Sequence, residues 1–243
     1  MPFERAEPAR AQMLELFPEG FEEVDGADGV ELVAYTDGAG QERFAAVFGA
    51  VAGRDVPSDW HDRWRLFHRG AQVGPLWVGP PWEEPPPGLI AVVVDPGRAF
   101  GTGAHPTTRL CLELLAELRR GSLVDVGCGS GVIAIAAAKL GFAPVTAVDV
   151  DAQAVQVTRQ NAVVNGVDLT AVVRDARTGG LPESDVAVAN IALDSVEALG
   201  GVLRARHAVT SGYLVSEQPM LDGYRILERR ERDGWAADLY ERR

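Results

Sequence analysis

From residue 89 onward, short apolar runs alternate with longer stretches in which apolar residues recur at helical spacing. Such runs are typical of buried strands, and the longer stretches are typical of helices packed against them. The predicted strands are residues 90–94, 123–126, 145–149, 169–173, 185–189 and 213–216, with a final edge strand at 234–242. The predicted helices are residues 107–119, 132–140, 152–165, 193–208 and 220–229. This alternation predicts an α/β domain with a doubly wound, mostly parallel sheet.

The N-terminal residues, 1–51, carry a different pattern, which predicts a small α+β domain. A short helix is expected at residues 9–17. Residues 20–24 and 30–35 are predicted to be strands joined by a turn-rich segment. The apolar segment 43–51 is predicted to be a further strand.

A charged and proline-rich region separates these two parts of the chain. Trp60, Trp64 and Phe67 recur at helical spacing, which favours a connecting helix. Residues 75–88 are rich in proline, and because proline fixes φ and removes a donor, we expect a stiff, extended connector there. The predicted organisation is a small domain at 1–51, a linker at 52–88 and the α/β domain at 89–243.

Composition narrows the class of protein further. With 47% hydrophobic residues among 243, the chain has enough apolar side chains for a well-packed core. Its net charge of −12 disfavours a nonspecific nucleic-acid binder, so no direct nucleic-acid partner is expected.

The two cysteines, Cys111 and Cys128, are too few and too far apart for a disulfide framework or a four-ligand zinc site, so no metal is expected. The apolar runs are strand-sized and no secretory leader is recognised, so no membrane partner is expected. We therefore expect a cytoplasmic monomer.

A glycine-rich loop, DVGCGSG at residues 125–131, joins one predicted strand to the next helix. Its glycines, Gly127, Gly129 and Gly131, allow a sharp turn and the close approach of a ligand. The helix that follows offers free N–H groups at its N-terminus. A glycine loop alone is a weak signal, but this strand–turn–helix context predicts a nucleotide- or nucleoside-binding site.

The spacing in this loop discriminates between cofactors. A dinucleotide fingerprint starting at Gly127 would need a third glycine at position 132, which is Val132. No Gly-Lys-Ser/Thr sequence follows, which excludes a P-loop. Instead Asp125 precedes the first glycine, where a carboxylate can face the ammonium group of S-adenosylmethionine, directly or through water. The loop therefore favours S-adenosylmethionine.

Two further aspartates follow predicted strands. Asp149 lies 22 positions after Gly127, where a carboxylate can accept hydrogen bonds from the ribose hydroxyls. Asp151 is better placed to cap the next helix. Asp175 either receives the adenine amino group or is an ordinary turn residue. The neighbouring Cys128, Val150 and Ala176 complete the predicted cofactor site along these strand ends.

From about residue 60 to its C-terminus, the sequence resembles the ribosomal protein L11 methyltransferases, a class I group that uses S-adenosylmethionine. The most specific motif is DPGRAFGTGAHPTT at residues 95–108, and GPLWVGPPW and VDVGCGSGVIAIAAAKLG are also similar to the family. In the family, the first motif covers the cofactor. The resemblance therefore implies cofactor contacts from this segment, by Phe100, Gly101, Thr102, Gly103, and Thr107 or Thr108.

A structural role also explains the paired threonines, because Thr107 at the start of a helix can simply act as a cap. His105 lies within the same motif and is assigned no chemistry, since a lone loop histidine is more often structural. The region before Trp60 is shorter than the ferredoxin-like recognition domain that the resemblance implies.

Asn190 follows a predicted strand, and the resemblance places it beside the transferable methyl group, where it would hold the substrate amine or the cofactor. The sequence after it is Ile-Ala-Leu, not the Pro-Pro-Tyr of DNA-adenine and glutamine-amide methyltransferases. The expected reaction is methylation of lysine side-chain or N-terminal amines, with ribosomal protein L11 as the expected substrate.

Other functions remain open from the sequence. The chain can methylate another protein or a small molecule, or it can bind the cofactor without catalysis. An NAD-dependent oxidoreductase is a further alternative, which Val132 and Asp125 disfavour.

Overall fold

A computed structural model describes residues 69–95, 103 and 105–243 of the chain, together with 22–26, 29–34, 36, 38–49 and 53 and the single positions 9, 12, 13 and 16. The chain divides into two units, residues 1–60 and 61–243. Within the described part of the chain, no helix has the length and apolar character needed to cross a lipid bilayer.

The first unit contains an antiparallel hairpin of strands β1 (Glu22–Gly26) and β2 (Gly29–Val33), followed by helix α1 (Gly38–Phe48). The described positions of the predicted helix at 9–17 are helical. The predicted strand at 43–51 is wrong, because α1 covers most of it. Phe44 and Phe48, one helical turn apart, bring their ring centroids to 5.0 Å, a contact that favours a helix.

The second unit begins with a small sheet of strands β3 (Ala71–Val73), β4 (Leu76–Gly79) and β5 (Ile90–Val93). Strand β3 pairs antiparallel with β4, and β4 pairs parallel with β5. Strand β4 is fully buried, so part of the expected connector is core, because its apolar side chains outweigh the prolines that flank it. The predicted strand at 90–94 joins this small sheet and not the large one.

Trp60, Trp64 and Phe67, which predicted a connecting helix, lie outside the described residues. The domain boundaries at residues 51 and 88 stay predictions.

A seven-stranded sheet in the order β11-β12-β10-β9-β6-β7-β8 forms the centre of the second unit. Strands β10, β9, β6, β7 and β8 run parallel, while β12 is antiparallel to both of its neighbours. The strands are β6 (Leu123–Val126), β7 (Val145–Asp149), β8 (Thr170–Val173), β9 (Ser184–Asn190), β10 (Ala205–Leu214), β11 (Tyr224–Arg232) and β12 (Trp235–Arg242). This architecture confirms the predicted α/β fold with a mostly parallel sheet.

Helices cover both faces of this sheet. Helices α2 (Pro106–Glu117), α3 (Val132–Leu140) and α4 (Ala152–Asn165) contribute buried residues to the larger core, which also includes the small sheet. The other face packs against the segments around the short helix α5 (Leu193–Glu197), with Leu199, Leu203 and Leu221 in its core. Burial on both faces explains why the central strands are continuously apolar.

The last third of the chain contains the largest corrections to the predicted elements. The helix predicted at 193–208 ends at Glu197, and β10 already begins at Ala205. The helix predicted at 220–229 is instead strand β11. The strand predicted at 234–242 is confirmed, but β12 lies between β10 and β11 and is not the edge of the sheet. Arginine and glutamate favour helices locally, and pairing with β12 overrides that preference.

Candidate active site

A cleft of about 500 Å³ opens at the carboxyl ends of β6, β7 and β9. The strand order reverses between β6 and β9, and ligands of open α/β sheets bind at such a switch point. Nine of the residues predicted for the site line this cleft: Thr108, Gly127, Cys128, Gly129, Asp149, Val150, Asp175, Ala176 and Asn190.

The glycine loop is held by the end of the neighbouring strand β7. The N–H groups of Gly127 and Cys128 donate to the Val148 carbonyl at 2.8 and 3.1 Å. The Gly129 N–H donates to Asp149 Oδ2 at 3.0 Å. Three successive loop amides are therefore engaged within the protein, and they are not free to bind a diphosphate.

Gly131 ends the loop and starts helix α3. Its φ of 80° lies in the left-handed region, which only glycine adopts readily. A Cβ on this residue would lie 2.8 Å from Thr158 Cγ2 and 3.1 Å from Thr158 Cα on helix α4. Gly131 therefore allows the loop to pass close to α4, and it does not line the cleft itself.

Asp125 is buried beneath the loop, with 1% of its surface exposed. Its Oδ2 accepts the Ala134 N–H at 3.1 Å, in the first turn of α3. Burial raises the pKa of Asp125 to about 7; the Ala134 hydrogen bond lowers this pKa, and the charge of Asp149 raises it. The carboxyl group lies behind the cleft wall and is not among its lining residues, so its expected contact with an ammonium group stays a prediction.

Asp149 lines the cleft at the end of β7 and has both oxygens engaged by backbone. Its Oδ2 binds the Gly129 N–H, and its Oδ1 accepts the Asp151 N–H at 3.0 Å. Each carboxylate oxygen can accept a second hydrogen bond, so acceptor capacity towards the cleft remains. Asp151 caps helix α4 by accepting the Gln153 N–H at 2.8 Å.

Asp175 lies at the end of β8 and caps a short 3₁₀ helix (Ala176–Thr178). Its Oδ1 accepts both the backbone N–H and the Nε–H of Arg177, and its Oδ2 accepts from Arg177 Nη2 at 2.8 Å. These Arg177 hydrogen bonds hold the pKa of Asp175 below its usual value. Asp175 is therefore a turn residue and a cleft residue at once, with one acceptor position left on Oδ2.

Asn190 ends strand β9 and lines the cleft beside the start of the glycine loop, because Val126 and Ala189 pair on adjacent strands. Its Nδ2 donates to Thr108 Oγ1 at 3.2 Å. Thr108 is 1% exposed, so this hydrogen bond is shielded from water and fixes the direction of the Asn190 amide. The Asn190 Oδ1 remains an acceptor for a group in the cleft.

The segment before α2 is only partly described. Phe100, Gly101 and Thr102, predicted as cofactor contacts, lie outside the described residues. Gly103 is buried and would meet Val78 if it carried a Cβ.

His105, and not Thr107, caps helix α2. Its Nδ1 lies 2.7 Å from Thr107 Oγ1, and its ring packs edge-on against Trp235 at 4.9 Å between centroids. Thr107 therefore turns its hydroxyl to His105 and is absent from the described lining of the cleft. These contacts agree with a structural role for His105.

Ten described lining residues are not among the predicted site residues. Arg174 and Arg177 flank Asp175 in the sequence, so charge next to a predicted site residue is the available signal. Ile191 and Ala192 follow Asn190 directly, whereas Ser195 and Leu199 belong to a stretch with no motif. The others are apolar residues of strands and of α3, namely Val126, Val132, Ile133 and Val148.

No group of three or more histidine, cysteine, aspartate or glutamate side chains could hold a metal ion among the residues described. Both cysteines are free thiols and are buried, Cys111 in helix α2 and Cys128 in the loop.

A sheet of this order, with a glycine loop after β6 and a carboxylate at the end of β7, defines a class I methyltransferase. The family model described as "Ribosomal protein L11 methyltransferase (PrmA)" matches residues 33–238. The chain belongs to the ribosomal protein L11 methyltransferase family and is a methyltransferase enzyme, which confirms the resemblance found in the sequence. Enzymes of this class generally use S-adenosylmethionine.

Individual relatives agree with the family model. The ribosomal protein L11 methyltransferase of Bordetella bronchiseptica is 40% identical over 241 residues, covering 87% of this chain and 76% of its own. The one from Tolumonas auensis is 40% identical over 200 residues, covering 72% of this chain and 66% of its own. The solved structure of a ribosomal protein L11 methylase from Lactobacillus delbrueckii subsp. bulgaricus has a TM-score of 0.63 at 27% identity, covering 72% of this chain and 99% of that one.

Proposed function

We propose that this chain binds S-adenosylmethionine in the cleft and transfers its methyl group to lysine side-chain or N-terminal amines of ribosomal protein L11. The family membership and the names of the relatives support this substrate. The observation that carries the site is the hydrogen bond between Asn190 and Thr108 beside the glycine loop.

The cleft suits a cationic nucleoside better than a dinucleotide. A diphosphate needs free N–H donors, and the amides of Gly127, Cys128 and Gly129 are already engaged. The carboxylate of Asp125 takes the Ala134 N–H at the start of α3, where a phosphate would otherwise bind. A volume of about 500 Å³ lies in the range of small-molecule sites.

Three carboxylates are assigned to different parts of the cofactor. Asp149 accepts hydrogen bonds from the ribose hydroxyls, because each of its oxygens can accept one bond in addition to the backbone N–H that it already binds. Asp175 accepts a hydrogen bond from the adenine amino group at Oδ2. In its ionised form, Asp125 favours the positive methionine end electrostatically from behind the loop. Residues 100–103 cover the cofactor, as the family motif implies.

Asn190 positions the substrate amine. Because Nδ2 is committed to Thr108, the amide presents Oδ1 to the cleft, where it accepts an amine N–H and aims the nitrogen lone pair. When bound, the cofactor supplies an electrophilic methyl on a sulfonium, ready for in-line transfer. The protein contributes orientation, which can account for much of the barrier lowering in such a reaction.

The amine must be neutral when it attacks. Removal from water lowers the pKa of a lysine, and the apolar residues of the cleft wall, including Val132, Ile133 and Ile191, exclude water there. The proton leaves to solvent, so no side chain is assigned as an obligatory general base.

The first unit, with β1, β2 and α1, is assigned to presentation of the protein substrate, together with the segment around Trp60. The cytoplasm, where ribosomal proteins are made, is the proposed location.

Methyl transfer from radiolabelled S-adenosylmethionine to purified L11 tests the proposal. We expect label in L11, with mass shifts in steps of one methyl group at lysine or N-terminal peptides. If another ribosomal protein or a small molecule were labelled and L11 were not, the assignment of the cofactor would stand and the assignment of L11 as substrate would be rejected. Binding of NAD in place of S-adenosylmethionine would reject the cofactor as well.

A further inference from the structure

A shallow depression lies at the sheet edge opposite the cleft, where β9 and β10 begin and β12 ends. It has a volume of about 510 Å³. Four arginines line it, against two acidic side chains. The charged residues are Arg204, Arg206, Arg242, Arg243, Glu183 and Asp185.

The strand register forces two of these arginines together. His207 of β10 pairs with Glu241 of β12 in an antiparallel ladder. The next positions along the two strands are Arg206 and Arg242, and both are exposed. Like charges directly opposite each other on a sheet are destabilising, so this pairing costs folding free energy.

Several other arginines of the second unit have acidic partners. Arg225 pairs with Glu241, Arg230 with Glu117, and Arg232 with Glu113. No ion pair of Arg204, Arg206, Arg242 or Arg243 is found within residues 69–95 and 105–243. The depression therefore groups four arginines that make no ion pair among the described residues, beside two acidic side chains.

The described acidic side chains of the depression make no ion pair with these arginines. The pKa of Asp185 is lowered mainly by its hydrogen bonds with Ser122, and to a smaller extent by the charges of Arg119 and Arg206. Asp185 Oδ2 accepts both the backbone N–H and the hydroxyl of Ser122, each at 2.8 Å. The Ser184 hydroxyl is shielded from solvent and makes no hydrogen bond. The depression thus offers guanidinium groups, which are donors that phosphate oxygens prefer.

The charge of the whole chain selects among phosphate ligands. A net charge of −12 repels a long polyanion such as RNA. A small anion responds mainly to charges within about 8 Å at physiological salt. We propose that this depression binds a small compound with two or more phosphate groups, at a site separate from the methyl-transfer cleft.

Calorimetric titration of the full chain with inorganic pyrophosphate tests this site. We expect saturable binding of one molecule per chain. Each of the variants Arg206→Gln and Arg242→Gln should weaken it about tenfold, as expected for the loss of one charged hydrogen-bond donor. The matched control is Arg69→Gln, which removes an exposed arginine elsewhere and should leave the affinity unchanged. Arg69→Gln should unfold at the temperature of the unmodified chain, because this side chain is exposed. Arg206→Gln and Arg242→Gln should unfold at the same temperature or slightly above it, because each removes one of two like charges that face each other.

Three comparisons distinguish the proposed site from a general anion surface, from the cleft and from an RNA site. Sulfate at equal ionic strength should bind much more weakly, and equal binding would reduce the depression to a general anion surface. Saturating S-adenosylhomocysteine should leave pyrophosphate binding intact. Competition between the two would show that pyrophosphate binds in the methyl-transfer cleft and would overturn the proposed site. A single-stranded RNA that binds more tightly than pyrophosphate, and loses binding when Arg206→Gln and Arg242→Gln are combined, would overturn the choice of a small ligand. Absence of pyrophosphate binding to the unmodified chain would overturn the site itself.

Discussion

At the scale of single residues, Asn190 connects the framework of the cleft to the proposed chemistry. Its Nδ2 is bound to a buried threonine, so only Oδ1 is presented to a ligand. Asn190→Ala removes that acceptor without disturbing the glycine loop. We expect kcat to fall by about 100-fold, the scale of a misplaced reacting group. Cofactor affinity should change much less, because Asp149, Asp175 and the loop remain.

The measurement is steady-state methylation of L11 beside direct titration of S-adenosylhomocysteine. The companion variant Thr108→Val keeps the shape of the side chain but removes the Oγ1 that accepts from Asn190. It should fall between the alanine variant and the unmodified enzyme in kcat. Full kcat in Asn190→Ala would remove this residue from the proposed mechanism.

Asp125 gives a prediction about pH and stability. Burial raises its folded-state pKa to about 7 from an ordinary value of 3.8. Between about pH 4 and pH 7 the folded protein therefore holds a proton that the unfolded chain has lost. The contribution of this group to stability is greatest below pH 4, falls as pH rises through the window, and is constant above it.

Asp125→Asn removes this titration and keeps an oxygen that accepts the Ala134 N–H. The thermal midpoint of the variant, relative to the unmodified chain, should therefore rise steadily from about pH 4 to pH 7. Midpoints measured by circular dichroism at each pH check this expectation. Two parallel profiles would mean that Asp125 keeps an ordinary pKa in the folded protein.

At the scale of elements, the close approach of the glycine loop to helix α4 depends on Gly131. A Cβ there meets Thr158, including its backbone Cα at 3.1 Å, and the φ of 80° is unfavourable for any other residue. Gly131→Ala should cost about 1–3 kcal/mol of unfolding free energy through strain and overpacking.

Gly141→Ala is the matched control, because Gly141 also has a positive φ, of 95°, but a Cβ added to it would have no atom within 4 Å. The control isolates the backbone penalty, and urea unfolding of both variants measures the difference. Equal losses in the two variants would show that packing against α4 contributes nothing.

The elements also show how far the sequence determines this fold. Sequence patterns predict helices α3 and α4 and strands β6 and β7 to the residue, because a glycine or an aspartate marks their ends and their apolar pattern is continuous. The same patterns predict a helix in place of β11, since its arginines and glutamates carry no strand signal of their own. Its conformation depends on β12 and on ion pairs from Arg230 and Arg232 to helix α2, which no local pattern contains.

The same limit applies to the site. The residues that a motif or a strand end marks, such as Gly127, Asp149 and Asn190, do line the cleft. Ser195 and Leu199 also line it, but they arrive there through the path of the chain after β9. Asp125 belongs to the motif, yet the fold uses its carboxylate at the start of α3. Sequence spacing therefore identifies the loop, while the fold decides which side of it each group faces.

At the scale of the whole molecule, the two units predict how a cofactor changes stability. All described lining residues of the cleft fall between positions 108 and 199, inside the unit at 61–243. A ligand that binds only the folded form at about 100 times its Kd stabilises by about 2.7 kcal/mol. For a unit of this size, the midpoint should rise by about 5–10 °C.

Scanning calorimetry with S-adenosylhomocysteine measures this shift. Because the binding energy belongs to the larger unit, its transition should move, and any separate transition of residues 1–60 should keep its midpoint. NAD at the same concentration should move neither, since the amides of the glycine loop are already engaged by Val148 and Asp149. A shift with NAD that equals the shift with S-adenosylhomocysteine would contradict the assignment of the loop to a sulfonium nucleoside. A shift with neither ligand would place cofactor binding outside this cleft.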